Sequence, residues 1–104
     1  MPTQTTESSA SKAQAVLEID VNNHAGVMSH VVGLFSRRVC NVEGILCLPV
    51  GDGRRSRIWL QVADDARLPQ VIRQAEKLID VISVRRHAGD HPVFSGLQGH
   101  FLPA

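Results

Sequence analysis

Asn23-His24-Ala25-Gly26-Val27-Met28 joins an alternating apolar run to a run of helical period. A strand that passes into a helix through a glycine leaves backbone N–H groups without partners, and the helix dipole adds positive potential there. Such a turn suits a carboxylate. In this reading the N–H groups around Ala25–Met28 hold the anion, Gly26 keeps its place clear of a side chain, and Asn23 orients the loop. Asn41, at the start of the next strand, offers an amide oxygen to an ammonium group. Apolar neighbours would hold an aliphatic side chain, so the ligand class is a free amino acid at a dimer seam. The plain alternative is an ordinary strand-to-helix connection, and the spacing leaves both open.

Other reactive side chains point to less. His87-x3-His91 has the spacing of two metal ligands on a helix face, but Gly89 and Pro92 oppose a helix, so a solvated tail is expected. His24 and His30 flank the first helix without a clear carboxylate partner and read as surface histidines. Arg54-Arg55-Ser56-Arg57 reads as a solvated hairpin tip, with an acidic partner surface as the alternative. Cys40 and Cys47 lie in apolar segments outside any CxxC pair, as reduced thiols of a core or interface do. There is no glycine-rich phosphate loop, no Ser/His/Asp arrangement and no metal quartet. No catalytic residue, metal site or cofactor is expected in this chain.

The elements that must position the turn follow from periodicity. Leu17, Ile19 and Val21 alternate with Glu18, Asp20 and Asn22, a strand with one wet face. Val27, Met28, Val31, Val32, Phe35 and Val39 mark a helix ending near Arg37-Arg38. Asn41 to Val50 is a second strand, in which Gly44 signals a bulge or a close backbone approach. Gly51-Asp52-Gly53 predicts a hairpin to a third strand through Ile58, Leu60 and Val62, which turns Trp59 to the opposite face as an interface anchor. Asp64-Asp65 can cap a second helix through Leu68, Val71, Ile72, Ala75, Leu78 and Ile79, with Pro69 in its first turn. Val81 to Arg86 is the fourth strand.

The order βαββαβ predicts an α+β, ferredoxin-like fold: a four-stranded antiparallel sheet with two helices on one face. Residues 1–13 read as a disordered N-terminal arm, 14–86 as the folded domain and 87–104 as a C-terminal tail. A core this small buries only about 60% of the unfolded surface. The second sheet face has no helix over it in this reading. The second strand, apolar and at an edge, invites pairing with another copy, so a homodimer is expected.

The bulk numbers exclude several classes. A net charge of +1 leaves no basic footprint for nucleic acid. With one Trp, three Phe and no Tyr, the chain also lacks the stacking aromatics that RNA recognition on this topology needs. No apolar run approaches the roughly 20 residues of a membrane span. Met1 to Ser11 has no charged n-region or apolar h-region, so a cytoplasmic location is the default.

Three stretches carry a family resemblance: Asn23–Met28, Gly33–Arg38 and Asn41–Pro49. Ile58-Trp59-Leu60, Asp64-Asp65 and Val81-Ile82 add to it. Over about residues 16–86 the chain resembles the small regulatory subunit of acetohydroxyacid synthase (acetolactate synthase), of the short isozyme I type. The resemblance implies an ACT domain without an active site of its own. It implies binding to the catalytic large subunit, activation of that subunit, and feedback inhibition by valine in branched-chain amino-acid biosynthesis. Thiamine diphosphate, Mg²⁺ and FAD are expected in the large subunit. By position, Asn23, Gly26 and Asn41 match effector-binding residues of the family. His24, Ala25, Val27 and Met28 complete the loop, and Val42 flanks Asn41. Phe94, Leu97, Phe101 and Leu102, apolar in a polar tail, are expected to dock on the large subunit. Rival readings are a free-standing ACT-type amino-acid sensor for another enzyme or a transcription factor and, more distantly, a small enzyme of the acylphosphatase type. The latter needs an Arg in the first loop, and none lies between Ala15 and Ser36.

Overall fold

The computed structural model describes residues 14–38 and 41–101. The elements are β1 (Gln14–Asn22), α1 (Val27–Arg38), β2 (Val42–Val50), β3 (Arg55–Ala63), α2 (Leu68–Glu76), β4 (Val81–Ala88), a short α3 (Pro92–Ser95) and a 3-10 turn (Gln98–Phe101). The sheet order is β2-β3-β1-β4 with antiparallel pairing throughout. This is the expected ferredoxin-like arrangement. The N-terminal arm, Val39, Cys40 and Leu102 lie outside the described residues.

Period two decides which side chains enter the core. Leu17, Ile19 and Val21 of β1 and Ile58, Leu60 and Val62 of β3 point to the helix side and are fully buried. They meet Val31 and Phe35 of α1 and Leu68, Val71 and Ala75 of α2. Met28, expected on that apolar stripe, is instead 41% exposed, because it sits one position off the Val27–Val31–Leu34–Phe35 face. Helix α2 ends at Glu76, where the chain tightens into turns with Leu78 N–H donating to Ala75 O and Val81 N–H to Leu78 O. Ile79 therefore falls outside the helix and is exposed. The residue at the start of α2 is Arg67, and no side chain caps the helix, so Asp64 and Asp65 do not take the capping role expected of them. Asp65 Oδ1 instead accepts from the Arg67 N–H at 2.7 Å in the turn that leads into α2.

The hairpin between β2 and β3 turns on Gly51 and Gly53, both at positive φ, with Gly53 N–H donating to Val50 O. Of the two roles predicted for Gly44, the bulge is present, and the close approach is made by a side chain and not by another backbone. The β2–β3 register shifts between Val42 and Gly44, and the Phe94 ring lies against Gly44.

The other sheet face departs from expectation. It is not wet and not bare. Val16 is fully buried and Glu18 nearly so. Strand β4 runs on to Ala88, and α3 folds the following segment back across β3 and β2. Gly89 permits this return, since a Cβ there would lie 2.5 Å from Gln14 O. The two larger helices thus occupy one face, and a short C-terminal helix covers part of the other. None of the helices described is long and apolar enough to cross a membrane.

Candidate functional site

The Asn23–Gly26 turn lies where β1 ends and where β3 and β4 begin. Asn23 is held on both sides: its N–H donates to Arg54 O at 2.9 Å and its Nδ2 to Gly53 O at 2.8 Å. It orients the loop, as its position predicts. His24 has a carboxylate partner after all, with Nδ1 2.9 Å from Asp80 Oδ1. Asp80 precedes β4, and only the strand order brings it to this end of the sheet. Asn22 N–H also donates to Asp80 O, so the turn is tied to both neighbouring strands.

Within the turn, Val27 N–H closes back on His24 O and His30 N–H donates to Gly26 O. Among the described residues the N–H groups of Ala25, Gly26, Met28 and Ser29 have no hydrogen-bond acceptor. These are the donors that an anion would take, at the positive end of a 12-residue helix. Gly26 has φ +83°, a left-handed conformation that side chains resist, and a Cβ added there would meet nothing within 4 Å. The glycine is therefore needed for its backbone angle, and the space beside it is open.

Asn41 and Val42 do not join this turn within one chain. Asn41 O accepts from Ala63 N–H, and Ala63 pairs with Gln14 at the start of β1. The turn follows Asn22 at the other end of that strand. The separation is eight residue steps of roughly 3.3 Å, about 26 Å. Asn23, His24, Ala25, Gly26, Val27 and Met28 thus form one end of the sheet, and Asn41 and Val42 the other.

A second polar cluster was not legible in the sequence as a unit. On the face away from α1 and α2, the Glu18 carboxylate lies 2.9 Å from His87 Nε2, 3.2 Å from Arg57 Nε and 3.6 Å from Arg85 Nη1. Asp20 holds Arg57 at 2.7 Å, and this hydrogen bond pushes the Arg57 guanidinium above its ordinary range. Arg57 is therefore a sheet-face residue and not part of the solvated hairpin tip, unlike Arg54 and Arg55. His91 stacks on Trp59 with ring centroids 4.9 Å apart and on His87 at 4.5 Å. Its Nδ1 accepts from Val93 N–H and starts α3. The expected solvated tail does not hold for these two histidines, because β4 pairing and ring stacking bind them to the sheet. No group of His, Cys, Asp and Glu suited to a metal occurs among the described residues.

Residues 17–83 match the family model of the AHAS small subunit-like ACT domain. The chain belongs to the AHAS small subunit-like ACT family. The match spans the Asn23–Met28 turn, Asn41 and Val42, and stops short of α3. Among the relatives of this ACT chain, the acetolactate synthase isozyme 1 small subunit of Escherichia coli K12 is 54% identical over 86 residues, which cover 83% of this chain and 90% of that protein. The isozyme 3 small subunit of the same strain is 39% identical over 70 residues, covering 66% of this chain and 43% of that protein. The solved acetolactate synthase small subunit of Thermotoga maritima superposes with a TM-score of 0.61 at 31% identity, over 70% of this chain and 46% of that one. The ACT domain of Chlorobium tepidum GTP pyrophosphokinase gives a TM-score of 0.60 at 20% identity, over 71% and 96% of the two chains, a likeness of fold alone.

Proposed function

We propose that this chain is the non-catalytic regulatory subunit of an acetohydroxyacid synthase. It binds the catalytic large subunit, raises its activity and makes it sensitive to valine. The observation that carries the reading is the 54% identity to an isozyme 1 small subunit over 83% of this chain and 90% of that one. Thiamine diphosphate, Mg²⁺ and FAD would reside in the large subunit, and the complex would work in the cytoplasm.

Valine binds in this reading at the seam of a homodimer. Its carboxylate takes the free N–H groups at the Gly26 turn and its ammonium the Asn41 amide oxygen. The 26 Å gap within one chain supports two-chain sites. Strands β1 and β2 run in the same direction, each antiparallel to β3. A two-fold axis that pairs β2 with its copy antiparallel therefore brings the partner's β2 start to the end of the sheet that carries the turn. Valine then regulates by binding one state of the complex more tightly than another, a coupling of about 1–3 kcal/mol, roughly 5–150-fold.

Two measurements test this. The chain should co-purify with a thiamine-dependent large subunit and raise its turnover. Titration calorimetry should show valine binding to the dimer, with leucine and isoleucine compared in parallel. Failure to associate with any such large subunit overturns the assignment in favour of a free-standing sensor. Association and activation without valine binding overturns the effector site only.

A further inference from the structure

The C-terminal segment does more than cover its own sheet. It leaves a cavity of about 530 Å³ against the free edge of β2, lined on the strand side by Gly44, Ile45 and Leu46 and on the other by Phe94, Leu97 and Phe101, with Glu43 and Gln61 as its polar members. Leu48, Ile45 and Phe101, at this same edge, are 70%, 46% and 81% exposed. A mainly apolar slot between a strand edge and an overhang has the shape that an added strand fills.

We infer that the slot receives Leu48 of a second copy of this chain, so that the C-terminal segment is part of the subunit seam. This deepens the homodimer reading above and rests on it.

The register follows from Pro49. Proline cannot donate to the β3 ladder, so its nitrogen belongs to the set that points to the free edge, and Ile45 and Cys47 share that parity. A two-fold axis normal to the sheet pairs only residues of like face. Centring it on Leu46 sets Ile45 opposite the partner's Cys47, and each such pair exchanges both N–H···O bonds. Centring it on Cys47 would set Ile45 opposite the partner's Pro49, which has no N–H to give. Centring it on Ile45 would draw the bulge at Glu43 into the ladder. The Leu46-centred register places Leu48 directly opposite the partner's Gly44, in a non-hydrogen-bonded pair where side chains come closest. Gly44 offers no side chain there. Phe94 fills its place, and Leu97 and Phe101 close the sides. The occupant's shape and the slot's opening therefore come from the same strand.

The test uses the full chain. Sedimentation equilibrium should give a dimer, and Leu48→Ala and Leu97→Ala should each raise the dimer Kd roughly tenfold, with the double variant well short of the product because the two side chains share one contact. In a background with Cys40→Ser and Cys47→Ser, Leu48→Cys with Leu97→Cys should form a covalent dimer on mild oxidation, while either cysteine change by itself should not reproduce it. A dimer whose Kd neither alanine substitution moves, and which does not cross-link, overturns the seat in the slot and leaves the dimer standing. A chain that stays monomeric overturns both.

Discussion

The ring of Phe94 stands where a side chain at position 44 would have to go. A Cβ at Gly44 would lie 2.8 Å from Phe94 Cε1, 3.1 Å from Cδ1 and 3.2 Å from the Gln61 Cβ. Fifty residues separate the two positions, and their contact fixes the C-terminal segment on the sheet.

Gly44→Ala should therefore push Phe94 off its seat. The expected loss is about 1–3 kcal/mol, as for other overpacked sites. Urea unfolding followed by circular dichroism checks it, with Phe94→Ala as the partner variant. If Gly44→Ala costs as much in the Phe94→Ala background as in the parent, the contact is not the cause.

The backbone role of Gly26 can be separated from its proposed part in effector binding. Gly26→Ala imposes a Cβ on a left-handed backbone but meets open space, so stability should fall by about 1–2 kcal/mol. Gly26→Asp adds a negative charge beside the free N–H groups as well. It should cost similar stability yet abolish valine binding in calorimetry, where Gly26→Ala only weakens it. Valine sensitivity retained by Gly26→Asp would remove the turn from the site.

Glu18 gathers Arg57, Arg85 and His87 on the covered face. Glu18→Gln keeps the shape and removes the charge. Arg57 retains Asp20, and Arg85 is more than half exposed, so water screens part of the loss. The expected cost is about 1–3 kcal/mol by urea unfolding, and it should shrink at high salt. A salt-independent cost would point to packing instead.

Cys47 packs against the core on the helix side, and burial pushes its thiol up from the ordinary range. A neutral thiol is a poor nucleophile, so iodoacetamide should label it slowly at pH 7 relative to the unfolded chain. As pH rises past about 8.5, the unfolded chain gives up the thiol proton before the folded one does. It then binds fewer protons than the native state, and stability falls with rising pH; below that range the contribution is flat. Cys47→Ala should remove this part of the alkaline loss.

The helix-side core and the strand order were legible because period two and period 3.6 are local properties. Leu17, Ile19, Val21 and Ile58, Leu60, Val62 announce their face by alternation. The opposite face was not legible, because its closure depends on residues that meet only after folding. Glu18 and Asp20 looked like the wet side of a strand, yet Arg57, Arg85 and His87 cover them from β3 and β4. His91 and Phe94 sat among Gly and Pro, and nothing local said that Trp59 and Gly44 would receive them. The turn was readable in kind from Asn23 and Gly26. Its tie to Asp80, and the distance to Asn41, required the topology.

That distance has a consequence for the response of the protein. When the parts of a receptor stand at opposite ends of a chain, each monomer holds two incompatible halves and no whole. Effector and assembly then become linked by mass action: whatever binds only the paired form draws monomers into it. In the proposed arrangement the midpoint of inhibition would shift with the amount of this subunit, and dilution by itself would dull the signal.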